Sequence, residues 1–394
     1  MSHELISHSP DLKRLRDEGY EVATIGAYVL VGSIPYVSHV SESIEIAKGT
    51  LVAPLALTGD RTATPPDHVI HFDGDYPCMV DGSVITSMTN ASNPANPVEG
   101  VSWQHSFSNK PPEGFSNYYD KFMNYIRIIT AEAEAIDPDV DARTFTVIET
   151  VEPESPFHYL DTNSSRAEID LLSARFEGMK VAIIGVGGTG SYVLDLVAKT
   201  SVGEIHIFDA DRYLSHNAFR SPGAPSLAEL NRTPTKVAYM AAKYDMMHKH
   251  IVPHQYFVEG EHLVELNEMD FVFICIDDGE AKKAIIDHLL ANSVSCIDTG
   301  IGLIEQDGAL TGSVRVTLLT PSFNGHMYQR ISFADDMDDV YTQNIQTAEL
   351  NSLNASLAVL KWKRLVGFYH DLEHEHHSVY ETSVNKVIND EYAA

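Results

Sequence analysis

Short apolar runs broken by Gly, Pro, Asp and Ser occupy the first third of the chain, and a different rhythm follows them. Between Gly19 and about Ile70 the runs EVATIGAYVLVGSIPYV and GTLVAPLAL predict strands joined by turns. The polar stretch from Thr89 to Glu99 predicts a loop, and Trp103 and Phe107 after it are placed to anchor a flap. Tyr118, Phe122, Tyr125 and Ile129 recur at helical spacing, which predicts one apolar face of a helix running to about Ala135. Thr144 to Ile148 predicts a strand, and an acidic, Pro-bearing connector follows it. A domain boundary is therefore expected near residue 150, with a smaller, mainly-β α+β domain over 1–150 and a second domain over 151–394.

Beyond the boundary, strands and helices alternate. Lys180 to Ile184, Glu204 to Phe208, Asp270 to Ile276 and Ser295 to Ile297 predict strands; Gly190 to Lys199, Lys236 to Met247 and Glu280 to Ala291 predict the helices between them. Such alternation implies a doubly wound α/β sheet, with any ligand outside the carboxyl ends of its strands. Ala309 to Leu319, where Val314, Val316 and Leu318 alternate, predicts a hairpin-type addition. The last strong helix is expected over Ala348 to Val366, with Leu350, Leu353, Leu357, Leu360 and Val366 near helical spacing and Gly367 as its stop. No internal repeat is visible at periods of about 20 to 50 residues.

Composition narrows the function classes. A formal net charge of −29 excludes broad electrostatic binding to nucleic acid or anionic membrane, since both need a basic face. Any site for a polyanion must be locally basic. The N-terminal stretch lacks an apolar signal core and no apolar run approaches bilayer length, so a soluble, cytoplasmic protein is expected. Cys78, Cys275 and Cys296 form no CxxC pair and no disulfide framework. His68, His71, Asp73, Asp75 and Cys78 lie within eleven positions, either as metal ligands or, more simply, as turn formers and packed strand residues. His374, His376 and His377 read as a metal-binding run or a solvated tail.

The candidate chemistry gathers on GVGGTGS, Gly185 to Ser191, fed by the apolar run Val181 to Ile184. Strand, tight turn and helix make a phosphate cradle: Gly185, Gly187, Gly188 and Gly190 let backbone N–H groups approach an anion, and the helix start adds partial positive charge. Asp209 closes the next strand nineteen positions after Gly190, the distance at which a carboxylate accepts hydrogen bonds from a ribose diol. Asp211, Asn217, Arg220 and Lys236 follow, and Asp277-Asp278 ends a later strand. An Arg and a Lys converging on the turn would neutralise β- and γ-phosphates, and a hydride-transfer cofactor has no γ-phosphate to offer. Asp277 suits Mg²⁺, a hard ion that takes carboxylate and phosphate oxygens. Each residue alone also has a dull reading: a solvated Lys, a surface-paired Arg, or an Asp-Asp helix cap. Their joint order is the specific signal.

That order resembles the ThiF/MoeB/HesA adenylyltransferases, whose Rossmann-like fold is shared with ubiquitin-activating enzymes. GVGGTGS, FDADRYLSHNAFR, TKVAYMAAK, FICIDD and NIQTAELNSLNASLAVLKWKRLVGFY carry the likeness, between about Ser165 and Tyr369. The resemblance implies that Gly187 and its neighbours cradle the triphosphate of ATP, that Asp209 holds the ribose, that Asn217, Arg220 and Lys236 grip phosphates, and that Asp277 binds Mg²⁺. It also implies a homodimer in which Arg166 reaches into the partner. The reaction implied is adenylation of a carboxylate, typically the C-terminal glycine of a ubiquitin-like protein. Other members of the family act on small or RNA-linked carboxylates, and an inactive scaffold of the same fold is a further alternative. The catalytic cysteine that many relatives carry before the last helix is absent, and Asp335 to Asn344 stands there instead. Direct transfer of the adenylate, or Cys78 or Thr342 as acceptor, remain open. The first 150 residues resemble, on GTLVAPLALTGD, HFDGDYPC and HSFSNKPPEGFSNYYDKF, a domain that precedes ThiF domains in bacterial gene clusters. Those clusters also encode ubiquitin-like and ubiquitin-carrier-like proteins, so the domain is expected to bind one of these partners.

Overall fold

The computed structural model describes residues 2–40, 43–88, 91–147, 155–167, 169–333 and 345–393. It divides into two units, Met1–Ile148 and Glu149–Ala394. In the first, helices α1 (Ser2–His8) and α2 (Pro10–Asp17) precede strands β1 (Glu21–Ile25), β2 (Tyr28–Val40) and β3 (Ser43–Pro54). The hairpin β4 (Leu57–Thr58) with β5 (Arg61–Thr62), then β6 (Val69–Asp73), β7 (Ala95–Val98), β8 (Val101–Trp103), β9 (His105–Ser108) and helix α3 (Tyr118–Ile136) complete it. Five strands form an antiparallel sheet in the order β1-β2-β3-β6-β9. Helix α3 covers one face of it. Its predicted stripe of Tyr118, Phe122, Tyr125 and Ile129 is fully buried in one cluster with Phe72 and Phe107. Asn117 caps the helix by accepting from the Asp120 amide at 2.8 Å.

Two expectations for this unit fail. Trp103 and Phe107 anchor no flap, because both lie in strands: Trp103 in β8 stacks on His71 with ring centroids 4.1 Å apart, and Phe107 is a core residue of β9. Thr144 to Val147 form no strand. The amides of Thr144 and Phe145 both donate to the Gly19 carbonyl, and Phe145 has φ 50°, which breaks an extended run. The histidines of the expected cluster find hydroxyl partners instead, His68 at 3.0 Å from Ser108 Oγ and His71 at 2.9 Å from Ser106 Oγ.

The second unit opens with short helices α4 (Thr162–Arg166) and α5 (Asp170–Ser173), then β10 (Lys180–Ile184), α6 (Gly188–Val197) and β11 (Glu204–Phe208). Helices α7 (Ser215–Ala218), α8 (Leu227–Asn231) and α9 (Lys236–Tyr244) lead to β12 (Ile251–His254), β13 (Phe271–Ile274), α10 (Gly279–Ala291), β14 (Ser295–Gln306) and β15 (Ala309–Leu319). Then come α11 (Met327–Arg330), α12 (Ala348–Leu365), β16 (Glu375–Glu381) and β17 (Lys386–Tyr392). One eight-stranded sheet runs β12-β11-β10-β13-β14-β15-β16-β17, parallel as far as β14 and antiparallel beyond. Strand β10 alternates Val181 and Ile183 toward a cluster with α6, α9 and α12, and Ala182 and Ile184 toward one with α10. Helices thus cover both faces, giving a Rossmann-like α/β fold beside a smaller, mainly-β first unit. Because β10 pairs with β11 on one side and β13 on the other, the strand order reverses at its carboxyl end, the usual place for a ligand in such sheets.

Three features of this unit differ from the expectation. Strand β14 outruns Ile297 because its second half pairs with β15 down to a two-residue turn, Asp307-Gly308, both at positive φ. The tail expected around His376 is not solvated, since both His376 and His377 are buried in β16. Helix α12 buries a different stripe from the one predicted: Leu360 is exposed and Leu350, Leu353 and Leu357 are only partly buried, while Asn351, Asn354, Ala355, Ala358 and Trp362 face inward. Among the described residues, no helix is long and apolar enough to cross a membrane.

Candidate nucleotide site

The turn after β10 is glycine-rich because nothing larger fits at Gly185, Gly188 and Gly190. Gly185 sits at φ 84°, and a Cβ on it would lie 2.7 Å from the Ile276 side chain and 2.8 Å from the Cys275 carbonyl oxygen. A Cβ on Gly190 would overlap the Gly185 carbonyl at 1.8 Å. One on Gly188 would strike the Asn351 amide at 2.4 Å. A Cβ on Gly187 would meet nothing within 4 Å, so the turn is open on that side. Helix α6 begins there without a side-chain cap, which leaves its first-turn N–H groups to an anion.

Asp209 ties the next strand to this turn. Its Oδ2 accepts from the Val186 amide at 3.1 Å and from Lys236 Nζ at 3.2 Å, and its Oδ1 accepts from the Asp211 amide at 2.9 Å. Lys236 Nζ also donates to Asp211 Oδ2 at 2.7 Å, and the Lys236 amide donates to the Asp211 carbonyl at 2.8 Å. The Asp209 and Lys236 side chains are 5% and 11% exposed, Asp211 59%. A buried carboxylate is thus neutralised by a buried ammonium whose second partner is at the surface. Thr235 caps α9 and fixes Lys236 at its first position.

Asn217 and Arg220 approach through the turn after β11. Asn217 is buried, its Oδ1 accepts from the Leu214 amide at 2.8 Å, and its Nδ2 donor has no partner. Arg220 Nε is likewise buried without an acceptor. Unpaired buried donors on one segment are costly unless something supplies acceptors. From the other side, the Cys275 amide donates to the Ile184 carbonyl, and Ile276 packs on Gly185, so the loop carrying exposed Asp277 borders the turn. Asp278 caps α10, its Oδ1 accepting from the Ala281 amide at 2.8 Å. Arg166 closes α4, exposed, ahead of the first sheet strand.

Sequence reasoning missed two groups. Asn351 on α12 accepts from Thr189 Oγ1 at 3.0 Å and donates to the Arg220 carbonyl at 3.4 Å. Its signals were its place in the motif NIQTAELNSLNASLAVLKWKRLVGFY and an amide pair, Asn351 and Asn354, three positions apart on one helix face. Asp298, fully buried on β14, faces Lys282 at 3.2 Å and Arg315 at 2.7 Å. Among the described residues no group of three His, Cys, Asp or Glu side chains is arranged to hold a metal ion.

A family model described as the ThiF family matches residues 168–373, just over half of the sequence. The chain belongs to the ThiF family. A second model, a domain of unknown function (DUF6791), matches residues 10–162. Ubiquitin-like modifier-activating enzyme 5 of Drosophila mojavensis is 26% identical over 156 residues, 36% of this chain and 37% of that protein. The Branchiostoma floridae enzyme of the same name is 25% identical over 158 residues, with the same coverage. This ThiF-family chain therefore spans less than two-fifths of the length of these relatives. Among solved structures, PaaA aligns at 16% identity and TM-score 0.45, over 58% of this chain and 80% of its own. E. coli MccB with ATP aligns at 15% and 0.45, over 56% and 66%.

The cysteines of this ThiF-family chain are shielded. Cys78 is buried, donates to the Tyr76 carbonyl at 3.2 Å and bridges to Val37 and Val84, and burial pushes its thiol up. Cys296 is buried in β14, and loss of solvation raises the Cys275 thiol to about 12. Thr342 and the rest of 334–344 lie outside the described residues. The native protein at pH 8 is expected to leave Cys78 unmodified by iodoacetamide under conditions that alkylate it in urea, as read by mass spectrometry; rapid native alkylation would contradict the burial.

Proposed function

We propose that this chain is an ATP-dependent adenylyltransferase that activates the C-terminal carboxylate of a ubiquitin-like protein in a bacterial conjugation pathway. The observation that carries the reading is the meeting of Lys236, Asp209 and the Val186 amide at an uncapped helix start, beside the orphaned donors of Asn217 and Arg220. A triphosphate supplies the acceptors those donors lack. Family membership and relatives named as ubiquitin-like modifier-activating enzymes support the substrate class.

In the proposed reaction a carboxylate oxygen attacks the α-phosphorus of ATP, a new P–O bond forms, and the bond to pyrophosphate breaks with its electrons. Side chains do little covalent work; they align two anions and offset their charge. Asp209, which already accepts three hydrogen bonds, keeps one lone-pair site for a ribose hydroxyl, and Arg220 and Lys236 would face the phosphates. A single exposed carboxylate suits Mg²⁺ that arrives with the nucleotide: Asp277 would hold it together with phosphate oxygens, and it would neutralise their charge. With Cys78 buried, direct transfer of the adenylate to a partner, such as a ubiquitin-carrier-like enzyme, is the preferred next step. A homodimer completed by Arg166, partner binding by the first unit, and a reducing cytoplasm complete the proposal.

The test is ATP–pyrophosphate exchange with ubiquitin-like proteins. Asp277→Ala is expected to slow exchange by about 100-fold, or about 2.7 kcal/mol, while nucleotide binding survives. Absence of exchange with every ubiquitin-like protein, with ATP bound normally, would favour an inactive scaffold; exchange with small or RNA-linked carboxylates would move the substrate class.

A further inference from the structure

Asn351 is fully buried on α12, 162 positions from the residue it bonds. Its Oδ1 takes the hydroxyl proton of Thr189, in the first turn of α6, and its Nδ2 donates to the main-chain carbonyl of Arg220. The flat amide lies against Gly188, close enough that a Cβ there would sit 2.4 Å from both amide heteroatoms. One side chain thus joins the helix start that would receive a phosphate to the segment that carries the arginine. The Nε of Arg220 finds no acceptor, so that donor does not help to hold the segment in place, and the Asn351 contact to the Arg220 carbonyl does. The Arg220 amide donates to the Asn217 carbonyl at 3.1 Å, so a restraint on Arg220 also restrains Asn217.

We propose that Asn351 is a positioning residue for the nucleotide site: it sets the spacing between the first turn of α6 and the Asn217–Arg220 segment, so that both reach one triphosphate. The inference rests on the nucleotide reading above. Asn351 touches no nucleotide itself; it acts through Thr189 and Arg220. Without it, a buried hydroxyl and a partly buried carbonyl lose their partners, and two phosphate-facing segments lose their shared reference. The binding penalty falls on ground state and transition state alike, so affinity suffers more than turnover.

The full chain is titrated with ATP by calorimetry and assayed for pyrophosphate exchange. Asn351→Ala is expected to raise Kd and KM for ATP about tenfold, a change of about 1.4 kcal/mol, with kcat within about threefold of wild type. Thr189→Val should reproduce the rise without emptying the space on Gly188, and Thr189→Ser, which keeps the hydroxyl, should bind within about twofold of wild type. The double variant should be no weaker than either single, because both remove one link. Wild-type affinity in either folded variant, or losses that multiply in the double variant, would overturn the role. If wild type itself binds no ATP, the functional reading fails instead.

Discussion

Replacing Lys236 with alanine is expected to lower pyrophosphate exchange by about 1,000-fold, equivalent to about 4 kcal/mol of transition-state stabilisation, and to destabilise the fold at the same time. Both effects have one source. Lys236 Nζ is the cation against the buried carboxylate of Asp209, and it reaches the surface carboxylate of Asp211 as well. Removing it leaves Asp209 with two amide donors and no opposite charge, which costs about 3 kcal/mol in a site this enclosed. The measurements are exchange kinetics and thermal melting on the same preparation. Lys236→Arg separates the two contributions, because a guanidinium keeps the charge yet cannot occupy the point position of an ammonium between two carboxylates. It should recover most of the melting temperature and little of the exchange. An alanine variant that exchanges within tenfold of wild type would reduce Lys236 to an ion-pair partner.

Gly190→Ala is expected to be among the most damaging single methyl groups in the second unit. The new Cβ would stand 1.8 Å from the Gly185 oxygen and 2.9 Å from its carbon, both backbone atoms, with the Cys275 Cβ at 3.2 Å behind them. No rotamer relieves such an overlap; helix α6 or the turn must move. A cost of about 3 kcal/mol or more follows, visible as loss of soluble yield or a shift of the urea midpoint. If Gly190→Ala melts with wild type, the helix does not pass over the turn as closely as described here.

Some of this was open to inspection in the residues alone. The turn was legible because Gly185 and Gly190 are demanded by a positive φ and by backbone contact, requirements that no other residue meets. The face of α3 was legible because four large side chains at helical spacing have no alternative to burial. The orientation of α12 was not. Its inward face is built from Asn351, Asn354, Ala355 and Ala358, since a helix lying close to α6 and β14 needs small side chains and amides that bond across the gap. Hydrophobicity alone selects the leucines. Strand β16 was hidden for a related reason: His376 bonds the Leu318 carbonyl at 3.1 Å and His377 pairs with Thr317 Oγ1 at 3.0 Å, so polar rings are satisfied in the interior. Burial pushes His377 down to about 4, and it stays neutral in its strand. Pairing partners decided these cases, and those partners lie far away along the chain.

The link from α12 to α6 also bears on how the protein is made. During synthesis the sheet strands from β10 to β14 and the helices between them leave the ribosome well before Asn351 does, so a nascent chain can pair its strands while Thr189 still lacks its acceptor. Long-range closure of this kind is slow relative to local pairing. On the proposed function, nucleotide capture would be a late event in biogenesis, and a prematurely terminated product would carry the glycine loop without the floor beneath it.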